Sequence, residues 1–239
     1  MTFSQLFPQG KAVIAMLHLK GRGSVDMERR ARREIEIFYE NGVDAVLVEN
    51  YFGDREDCRW ALAYLKEQYP DRVYGVNILG DTPSAFALAE AYDAAFIQID
   101  SVCGHLSPAL EPDFVKKLDA LRAGSRAVVL GGVRFKYQPV RSGRTVEEDL
   151  RLGKARCDAV VVTGDGTGLA TPPEKIRQFR AALGDFPLIT GAGVTEETAA
   201  QTLSCCDGVI VGSWLKEHHD ARGEVNEAYV RAFVRAAKG

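Results

Sequence analysis

Residues 43–50 read VDAVLVEN, and residues 157–164 read CDAVVVTG. The same pattern returns as YDAAFIQI at 92–99 and as CDGVIVGS at 206–213. Each copy has an aspartate, a small residue and an apolar run, which is typical of a parallel strand buried on both faces. We expect the small residue to let the preceding helix pass close to the strand. The first two aspartates are spaced as the last two are, so the first half of the chain repeats in the second.

Short apolar runs alternate with longer amphipathic runs along the whole chain. Segments 27–41 and 171–184 have helical spacing, with Gly42 as a predicted C-terminal stop and Thr171 as a predicted N-cap. Eight such units predict a single (β/α)8 TIM barrel over residues 1–239, since about 250 residues is typical of that fold. The alternative is an open doubly wound sheet, but its edge strands should differ from its central ones, so the repeat favours the barrel. The predicted strands are 13–19, 44–51, 73–79, 94–100, 127–135, 158–164, 187–193 and 207–214.

Composition excludes several classes of protein. The formal charge of −3 and the isoelectric point near 5.9 provide no basic surface for nucleic acid or an anionic membrane. The N-terminal MTFSQLFPQGK lacks the features of a secretory signal, and no apolar run reaches the roughly 18–20 residues of a membrane span. The five cysteines are odd in number and lack CxxC spacing, and the adjacent His218 and His219 match no metal-binding motif. We expect a cytoplasmic protein with reduced thiols and no metal, cofactor, nucleic-acid partner or membrane insertion; homo-oligomerisation stays open.

Two glycine-containing segments end the last two predicted strands: LITGAG at 188–193 and VIVGSW at 209–214. In a TIM barrel the active site lies at the C-terminal ends of the strands, and phosphate frequently binds in the loops after strands seven and eight. Glycine lets backbone N–H groups approach an anion, and the helix that begins near VTEET would add a positive dipole end. Because GxG alone is an ordinary turn, its place in the fold decides the interpretation. The predicted phosphate-binding residues are Gly191, Ala192, Gly193, Gly212 and Ser213.

Polar side chains stand at the ends of the other predicted strands, where they would meet at the mouth of the barrel. Glu49 follows the apolar run AVLV, so burial should raise its pKa into a range that suits proton transfer. We expect Glu49 and Asp100 to move protons and Lys20 or Lys136 to stabilise an oxyanion. The alternative is that Glu49 is only a structural partner of one of these lysines. The remaining candidates are His18 and Asp165 for catalysis, and Asn50, Asn77, Thr163 and Gly164 for ligand binding.

Two loops at the predicted mouth allow two interpretations each. The glycine-rich segment 164–172 can bind a phosphate or hydroxyl-rich ligand, or it can act as a lid without direct contact. The basic segment 135–145 can close on an anionic ligand, or it can be a solvated loop.

Four motifs together resemble the BtpA family: MLHLK at 16–20, GVDAVLVENYFGD at 42–54, GVNIL at 75–79 and DAVVVTGDGTG at 158–168. The resemblance implies a TIM barrel of the ribulose-phosphate-binding type. It also implies kinship with a founding member linked to photosystem I biogenesis and with bacterial relatives that have no settled reaction. The family pattern has asparagine at the end of strand four and Asp-Val with Lys-His around strand five, whereas this chain has Asp100 and a different 131–137 segment. These departures lie at the mouth and predict a divergent member.

Two classes of function follow from these features. The first is an isomerase or lyase that acts by acid/base chemistry on a small phosphorylated sugar or nucleoside. The second is a barrel that binds a ligand or partner without turnover, as an assembly factor does. We do not expect phosphoribosylanthranilate isomerase activity, because the barrel of that enzyme has a cysteine at the end of strand one. This chain has His18 and Lys20 at that position.

Overall fold

The computed structural model describes all 239 residues and contains a closed barrel of eight parallel strands. The strands are β1 (Ala12–Leu17), β2 (Ala45–Glu49), β3 (Val73–Asn77), β4 (Phe96–Cys103), β5 (Val128–Val133), β6 (Ala159–Val162), β7 (Leu188–Thr190) and β8 (Gly208–Val211). Their order around the barrel follows the chain, and β1 pairs with both β2 and β8, so no edge strand remains. The predicted TIM barrel is confirmed, and the open sheet is excluded.

Helices surround the barrel and alternate with the strands. They are α1 (Phe3–Leu6), α2 (Ser24–Glu40), α3 (Arg55–Gln68), α4 (Thr82–Tyr92), α5 (Glu111–Ala123), α6 (Val146–Arg156), α7 (Pro173–Leu183), α8 (Glu196–Leu203) and α9 (Glu227–Lys238). Two short 3-10 helices, Ser213–Leu215 and Glu217–His219, follow β8. No helix combines the length and apolarity that a membrane span requires.

Alternate residues of each strand belong to two different cores. In β1, Ile14 and Met16 join the cluster inside the barrel, whereas Val13 and Leu17 join the cluster between the strands and the helices. Both faces of each strand are therefore buried, which explains the continuous apolar runs in the sequence. The same alternation decides which residue at a strand end faces the mouth, because side chains two residues apart share a face.

Aromatic side chains close the N-terminal end of the barrel. Phe3 and Phe7, which lie in or directly after α1, are buried, and their ring centroids are 5.0 Å apart. Phe7 in turn meets the buried ring of Phe96 edge-on, with centroids 6.3 Å apart. A Cβ on Gly75 would lie 2.4 Å from the Phe96 ring, so this glycine makes room for the large side chain. The barrel is thus filled at its bottom and opens only at its C-terminal end.

The repeated aspartates tie neighbouring strands together. Asp44, Asp158 and Asp207 each accept a hydrogen bond from a backbone N–H that begins the preceding strand, at 2.8, 2.7 and 2.8 Å. Asp93 differs: it ends α4 in the left-handed region and pairs with Lys66 at 2.8 Å. Three of the four copies therefore share a structural role at the bottom of the barrel, in addition to the expected small residue after the aspartate.

Some predicted boundaries differ from the structure. Helix α2 begins at Ser24 rather than at residue 27, although Gly42 follows its end with φ of 82° as expected of a C-terminal stop. Thr171 does not cap α7, because the residue before this helix is Pro172. Its hydroxyl instead donates to the Ala192 carbonyl at 3.0 Å, which ties the β6 loop to the β7 loop.

All five cysteines are free. Cys58, Cys103, Cys157 and Cys206 are buried, and Cys205 is partly exposed. Burial raises the pKa of the Cys103 and Cys206 thiols to about 11, so both remain protonated and poorly nucleophilic at neutral pH.

Candidate functional site

A cavity of about 360 Å³ opens at the C-terminal end of the barrel. Nine of the residues proposed from the sequence line it: His18, Glu49, Asp100, Lys136, Gly191, Ala192, Gly193, Gly212 and Ser213. Strand alternation places several of them there. His18 follows the inward-facing Met16, Glu49 follows Leu47, and Gly212 follows Ile210. The site is therefore the uppermost layer of the barrel interior.

Two carboxylates share one amide at the base of the cavity. Asn77 Nδ2 donates to Glu49 Oε1 at 2.9 Å and to Asp100 Oδ1 at 3.1 Å. The amide is itself buried, and the parallel register places Asn77 directly beside Glu49. Burial, and next the nearby Asp100 charge, raise the pKa of Glu49 to about 7, against the opposing influence of Lys136, Asn77 and Lys216. Glu49 can therefore exist in both protonation states near neutral pH.

A buried lysine contacts the His18 ring. The Lys216 side chain is 1% exposed, and its Nζ lies 3.0 Å from His18 Nδ1 and 3.4 Å from the carbonyl oxygen of Ala221. Burial, then the charges of Lys216 and Lys136, lower the pKa of His18 well below its usual value, so the imidazole is neutral. Burial lowers the pKa of Lys216, against the raising influence of Glu34 and Glu49. In its charged form Lys216 has only donors, so Nδ1 then accepts from it and the ring proton lies on Nε2. That nitrogen lies 3.8 Å from Glu49 Oε2.

Lys136 brings a cation to the same cavity. Its ammonium makes no hydrogen bond or ion pair with the rest of the chain and lies 5.7 Å from the centroid of the Phe135 ring. Its backbone N–H donates to the buried Thr163 Oγ1 at 2.8 Å, which fixes the start of the β5 loop against β6. The charge of Lys136 lowers the pKa of both His18 and Glu49. Because the ammonium has no partner in the chain, it can contact an anionic group of a ligand.

The loops after β7 and β8 present backbone donors to the cavity. The N–H groups of Ala192, Gly193, Val194 and Gly212 donate to no other group of the chain. Buried N–H groups are rarely left without a partner, so these four are available to an anion or to solvent. A Cβ on Gly212 would lie 3.1 Å from His18 Cε1, so the loop after β8 is a direct neighbour of the imidazole.

Two structural features require glycine at position 193. Its φ is 66°, in the left-handed region, and a Cβ there would lie 2.1 Å from the carbonyl oxygen of Leu169. The β6 loop therefore packs directly on the β7 loop, and any side chain at this position would separate them. A variant at Gly193 would consequently disturb the loops whether or not they bind an anion.

Helix α8 contributes less than the sequence predicts. Thr195 caps it by accepting from the Thr198 N–H at 3.3 Å, and two glutamates, Glu196 and Glu197, occupy its first turn. Their negative charges oppose an anion at this helix end. The free N–H groups of the loop, rather than the helix dipole, are therefore the donors that an anion would use.

Several predicted residues do not reach the cavity. Lys20 donates to the Arg222 carbonyl, and Asn50 accepts from the Leu79 N–H at 2.8 Å, so both connect loops. Asp165 is exposed, and Gly164 serves the close approach of Ala170, whose oxygen would lie 2.6 Å from a Cβ. Thr163 and Asn77 act behind the lining through the hydrogen bonds given above. Lys20, Asn50, Gly164 and Asp165 therefore do not line the cavity, and their positions do not support the catalytic or ligand-binding roles expected of them.

One of the three basic residues of the loop 135–145 forms internal ion pairs. Arg144 pairs with Glu111 and, at 2.9 Å, with Asp149, and Arg134 just before the loop pairs with Asp149 at 2.8 Å. The Arg144 hydrogen bond is the main reason that the pKa of Glu111 falls to about 2. These pairs anchor the loop to α5 and α6, and of its basic residues only Lys136 lines the cavity.

Sequence reasoning missed four lining or supporting residues: Lys216, Gln98, Tyr51 and Tyr137. Lys216 lies in the KEHHDARGE segment, where only charged and polar residues are visible in the sequence. Gln98 could have been found, because it follows Phe96 on the inward face of β4. Of the adjacent histidines, both are exposed as expected, but His219 also lines the cavity and stacks on Trp214 with centroids 3.7 Å apart.

Comparison with known proteins agrees with the resemblance seen in the sequence. The model of the BtpA family matches residues 9–239. The chain belongs to the BtpA family. An uncharacterized protein of Archaeoglobus fulgidus is 28% identical, with 88% of this chain and 89% of the relative covered. The Photosystem I biogenesis protein BtpA of Synechocystis sp. is 26% identical, with 99% and 91% covered.

Solved structures agree with the fold of this BtpA-family chain. Phosphoribosyl anthranilate isomerase from Thermus thermophilus matches with a TM-score of 0.63 at 15% identity, over 94% of this chain and 97% of that enzyme. This likeness agrees with the closed eight-stranded TIM barrel described above. At such low identity it shows the fold alone.

Proposed function

We propose that the cavity binds a small phosphorylated sugar or nucleoside and that the protein isomerises or cleaves it by acid/base chemistry. The observation that carries the proposal is the presence, in one cavity, of unpaired backbone N–H groups and of a carboxyl group whose pKa is about 7. The first feature suits a phosphate and the second suits proton transfer. The name of the phosphoribosyl anthranilate isomerase, which shares the fold, is consistent with a phosphorylated ligand.

The arrangement suits a short ligand. Gly212 borders the His18 ring, and His18 Nε2 lies 3.8 Å from Glu49 Oε2. A phosphate on the loops after β7 and β8 would therefore stand one side chain away from the catalytic carboxylate. A ligand with a few carbon atoms beyond its phosphate can reach Glu49.

The proton chemistry follows from the charges around Glu49. In its ionised form Glu49 accepts a proton from a carbon next to a ligand carbonyl, and the electron pair of that C–H bond moves to the carbonyl oxygen. The Nε2–H group of His18 and the ammonium of Lys136 are donors for the resulting oxyanion. In a ligand with a hydroxyl on the deprotonated carbon, the hydroxyl proton moves to the former carbonyl oxygen and Glu49 returns its proton to the former carbonyl carbon, which gives the isomer. In a ligand with a leaving group on the next carbon, the enolate re-forms the carbonyl, a new C=C bond forms and the leaving group departs with its bonding electron pair, which gives the lyase product.

Inorganic phosphate tests the anion site directly. Millimolar phosphate should raise the melting temperature of the wild type, since a ligand that binds only the folded state stabilises it. Ser213→Asp places a negative charge among the predicted phosphate-binding residues and should abolish this shift. Ser4→Asp, on the exposed face of α1 at the opposite end of the barrel, is the matched control and should retain it. A wild type without a shift, or an equal shift in all three proteins, contradicts the proposal.

A second candidate function is ligand or partner binding without turnover. The Synechocystis relative, named a photosystem I biogenesis protein, matches 99% of this chain, so a non-catalytic role in assembly is compatible with the same barrel. Incubation with phosphorylated sugars and nucleosides, followed by ³¹P NMR, separates the two candidates. Conversion of a bound compound, lost in Glu49→Gln, supports the enzyme; binding without conversion supports the assembly role.

A further inference from the structure

Two tyrosines at the rim of the cavity share one hydrogen-bonding partner. The Tyr51 hydroxyl donates to Thr167 Oγ1 at 3.5 Å, and the Tyr137 hydroxyl accepts from the Thr167 backbone N–H at 2.7 Å. Tyr51 follows β2, Tyr137 follows β5, and Thr167 belongs to the loop after β6. All three residues line the cavity, so three loops are joined over one side of its mouth.

Tyr137 adopts an unfavourable backbone conformation at the rim of the cavity. Its φ is 61°, in the left-handed region that bulky side chains rarely adopt. The residue is nevertheless 70% exposed, so its ring contributes little to the core. It stacks on no other aromatic ring and lies under no cation. Strain of this kind is typical of functional sites, and here it holds an uncovered aromatic ring at the rim.

Tyr51 links this rim to the catalytic groups. Its ring stacks on His18 with centroids 4.9 Å apart and an interplanar angle of 29°, and it meets Phe52 edge-on at 4.9 Å. About one third of Tyr51 is exposed. A ligand that reaches from His18 towards the rim would therefore pass along aromatic surface.

The cavity also has room and polarity that phosphate alone would not use. Its volume of about 360 Å³ lies within the range of about 300–1,000 Å³ that is usual for sites of drug-sized ligands. Gln98, which is 5% exposed, lines it, and Gln98 Oε1 is buried without a hydrogen-bond partner. Such an atom normally has a donor, and a ligand hydroxyl or amino group can supply one.

From these contacts we propose that the ligand is a phosphorylated nucleoside whose planar ring stacks against Tyr51 and Tyr137. Its phosphate binds the loops after β7 and β8, and its ribose hydroxyls meet Asp100 and Gln98. This inference rests on the proposed function, and it selects the nucleoside over the simple sugar phosphate. A sugar phosphate would leave the exposed face of the Tyr137 ring and the buried Gln98 oxygen without a ligand contact.

Three compounds of increasing size test the inference by calorimetric titration: inorganic phosphate, ribose 5-phosphate and uridine 5′-monophosphate. Stacking of a base on an aromatic side chain is worth roughly five- to a hundredfold in affinity. We therefore expect the nucleotide to bind at least about tenfold more tightly than ribose 5-phosphate. Adenosine 5′-monophosphate in parallel shows whether the ring preference depends on the base.

Side-chain variants locate the effect. Tyr137→Leu and Tyr51→Leu should reduce the ratio of nucleotide affinity to ribose 5-phosphate affinity towards one, while Tyr137→Phe, which keeps the ring, should retain most of it. Tyr64→Leu removes a tyrosine that stacks on Trp60 outside the cavity and should leave the ratio unchanged. Tyr137→Gly relieves the left-handed strain, so its melting temperature should be at or above that of the wild type although its nucleotide affinity falls.

The outcomes separate this inference from the proposed function. If phosphate, ribose 5-phosphate and the nucleotides all fail to bind, the proposed function fails and the inference fails with it. If ribose 5-phosphate binds as tightly as both nucleotides, or if Tyr137→Leu keeps the wild-type ratio, the nucleoside is excluded while the phosphate site stands. Because Tyr137 is exposed, its variants remain measurable even if Tyr51→Leu does not fold.

Discussion

Replacing Glu49 by glutamine keeps the shape of the side chain and removes its charge. Glu49 is 6% exposed, and its pKa in the folded chain is about 7 instead of 4.5. A carboxyl group with a raised pKa stabilises the folded protein fully below pH 4.5, and this contribution is lost as the pH rises through 7. At 1.36 kcal/mol for each pH unit, the difference between 4.5 and about 7 corresponds to about 3 kcal/mol. Glutamine has no such dependence, and Asn77 can still donate to its amide oxygen.

Urea unfolding of the wild type and Glu49→Gln between pH 4 and pH 8 measures this difference. The variant should gain about 3 kcal/mol relative to the wild type across that range and should have the higher melting temperature at pH 8. Glu40→Gln, an exposed position on α2, is the control and should show no such gain. Turnover of any substrate found should fall by roughly a hundredfold or more in Glu49→Gln. A variant that is less stable at every pH would show that Glu49 is a structural partner of a lysine, and the catalytic assignment would be refuted.

Two further predictions concern the groups around this site. Lys216→Met removes the charge beside His18 Nδ1, so the pKa of His18 should rise, which ¹⁵N NMR of the imidazole can measure. The Lys20 ammonium does not contact His18, so the control variant Lys20→Met should leave the pKa of His18 unchanged. An unchanged His18 titration in Lys216→Met would contradict the assigned contact. The pKa of Glu111 is lowered to about 2, so the stability it confers is present above pH 4.5 and is lost, by about 3 kcal/mol, as the pH falls towards 2. Arg144→Met should weaken this acid dependence in urea unfolding, whereas the exposed Arg141→Met should not, and equal behaviour of the two variants would argue against the ion pair.

The sequence was sufficient for the barrel because local and global patterns agree. Eight runs such as 44–51 and 158–164 are apolar on both faces, and only a sheet covered on both sides buries such strands. Three of these runs follow an aspartate that accepts a hydrogen bond from the neighbouring strand. The repeated aspartate therefore reflects the pairing of neighbouring strands as well as the period of the fold. Boundaries were less accurate, since helix ends depend on local caps: Thr171 has the composition of a cap but bonds to another loop.

The side chains at the C-terminal end of the barrel could be predicted only where strand alternation extends to them. Glu49 and His18 lie two residues beyond inward-facing apolar residues, and both reach the cavity. Asn50 has the opposite orientation by the same rule and bonds to the β3 loop instead. Lys216 lies in extended backbone between the two short 3-10 helices after β8, where no period relates sequence position to side-chain direction. Its burial depends on long-range contact with His18, 198 residues away, which no local pattern reveals.

The glycines of the β7 loop show why composition alone does not identify an anion site. A Cβ at Gly191 would lie 2.5 Å from Val161, and one at Gly193 would lie 2.1 Å from the Leu169 carbonyl, so close packing of neighbouring chain segments already requires both glycines. Their presence would be the same if no ligand ever bound. What points to a ligand is a separate observation: residues 192–194 line the cavity, and their N–H groups have no acceptor in the chain. Unpaired donors beside a carboxyl group of raised pKa therefore support the proposed phosphate site, and a loop of other composition with the same donors would support it equally.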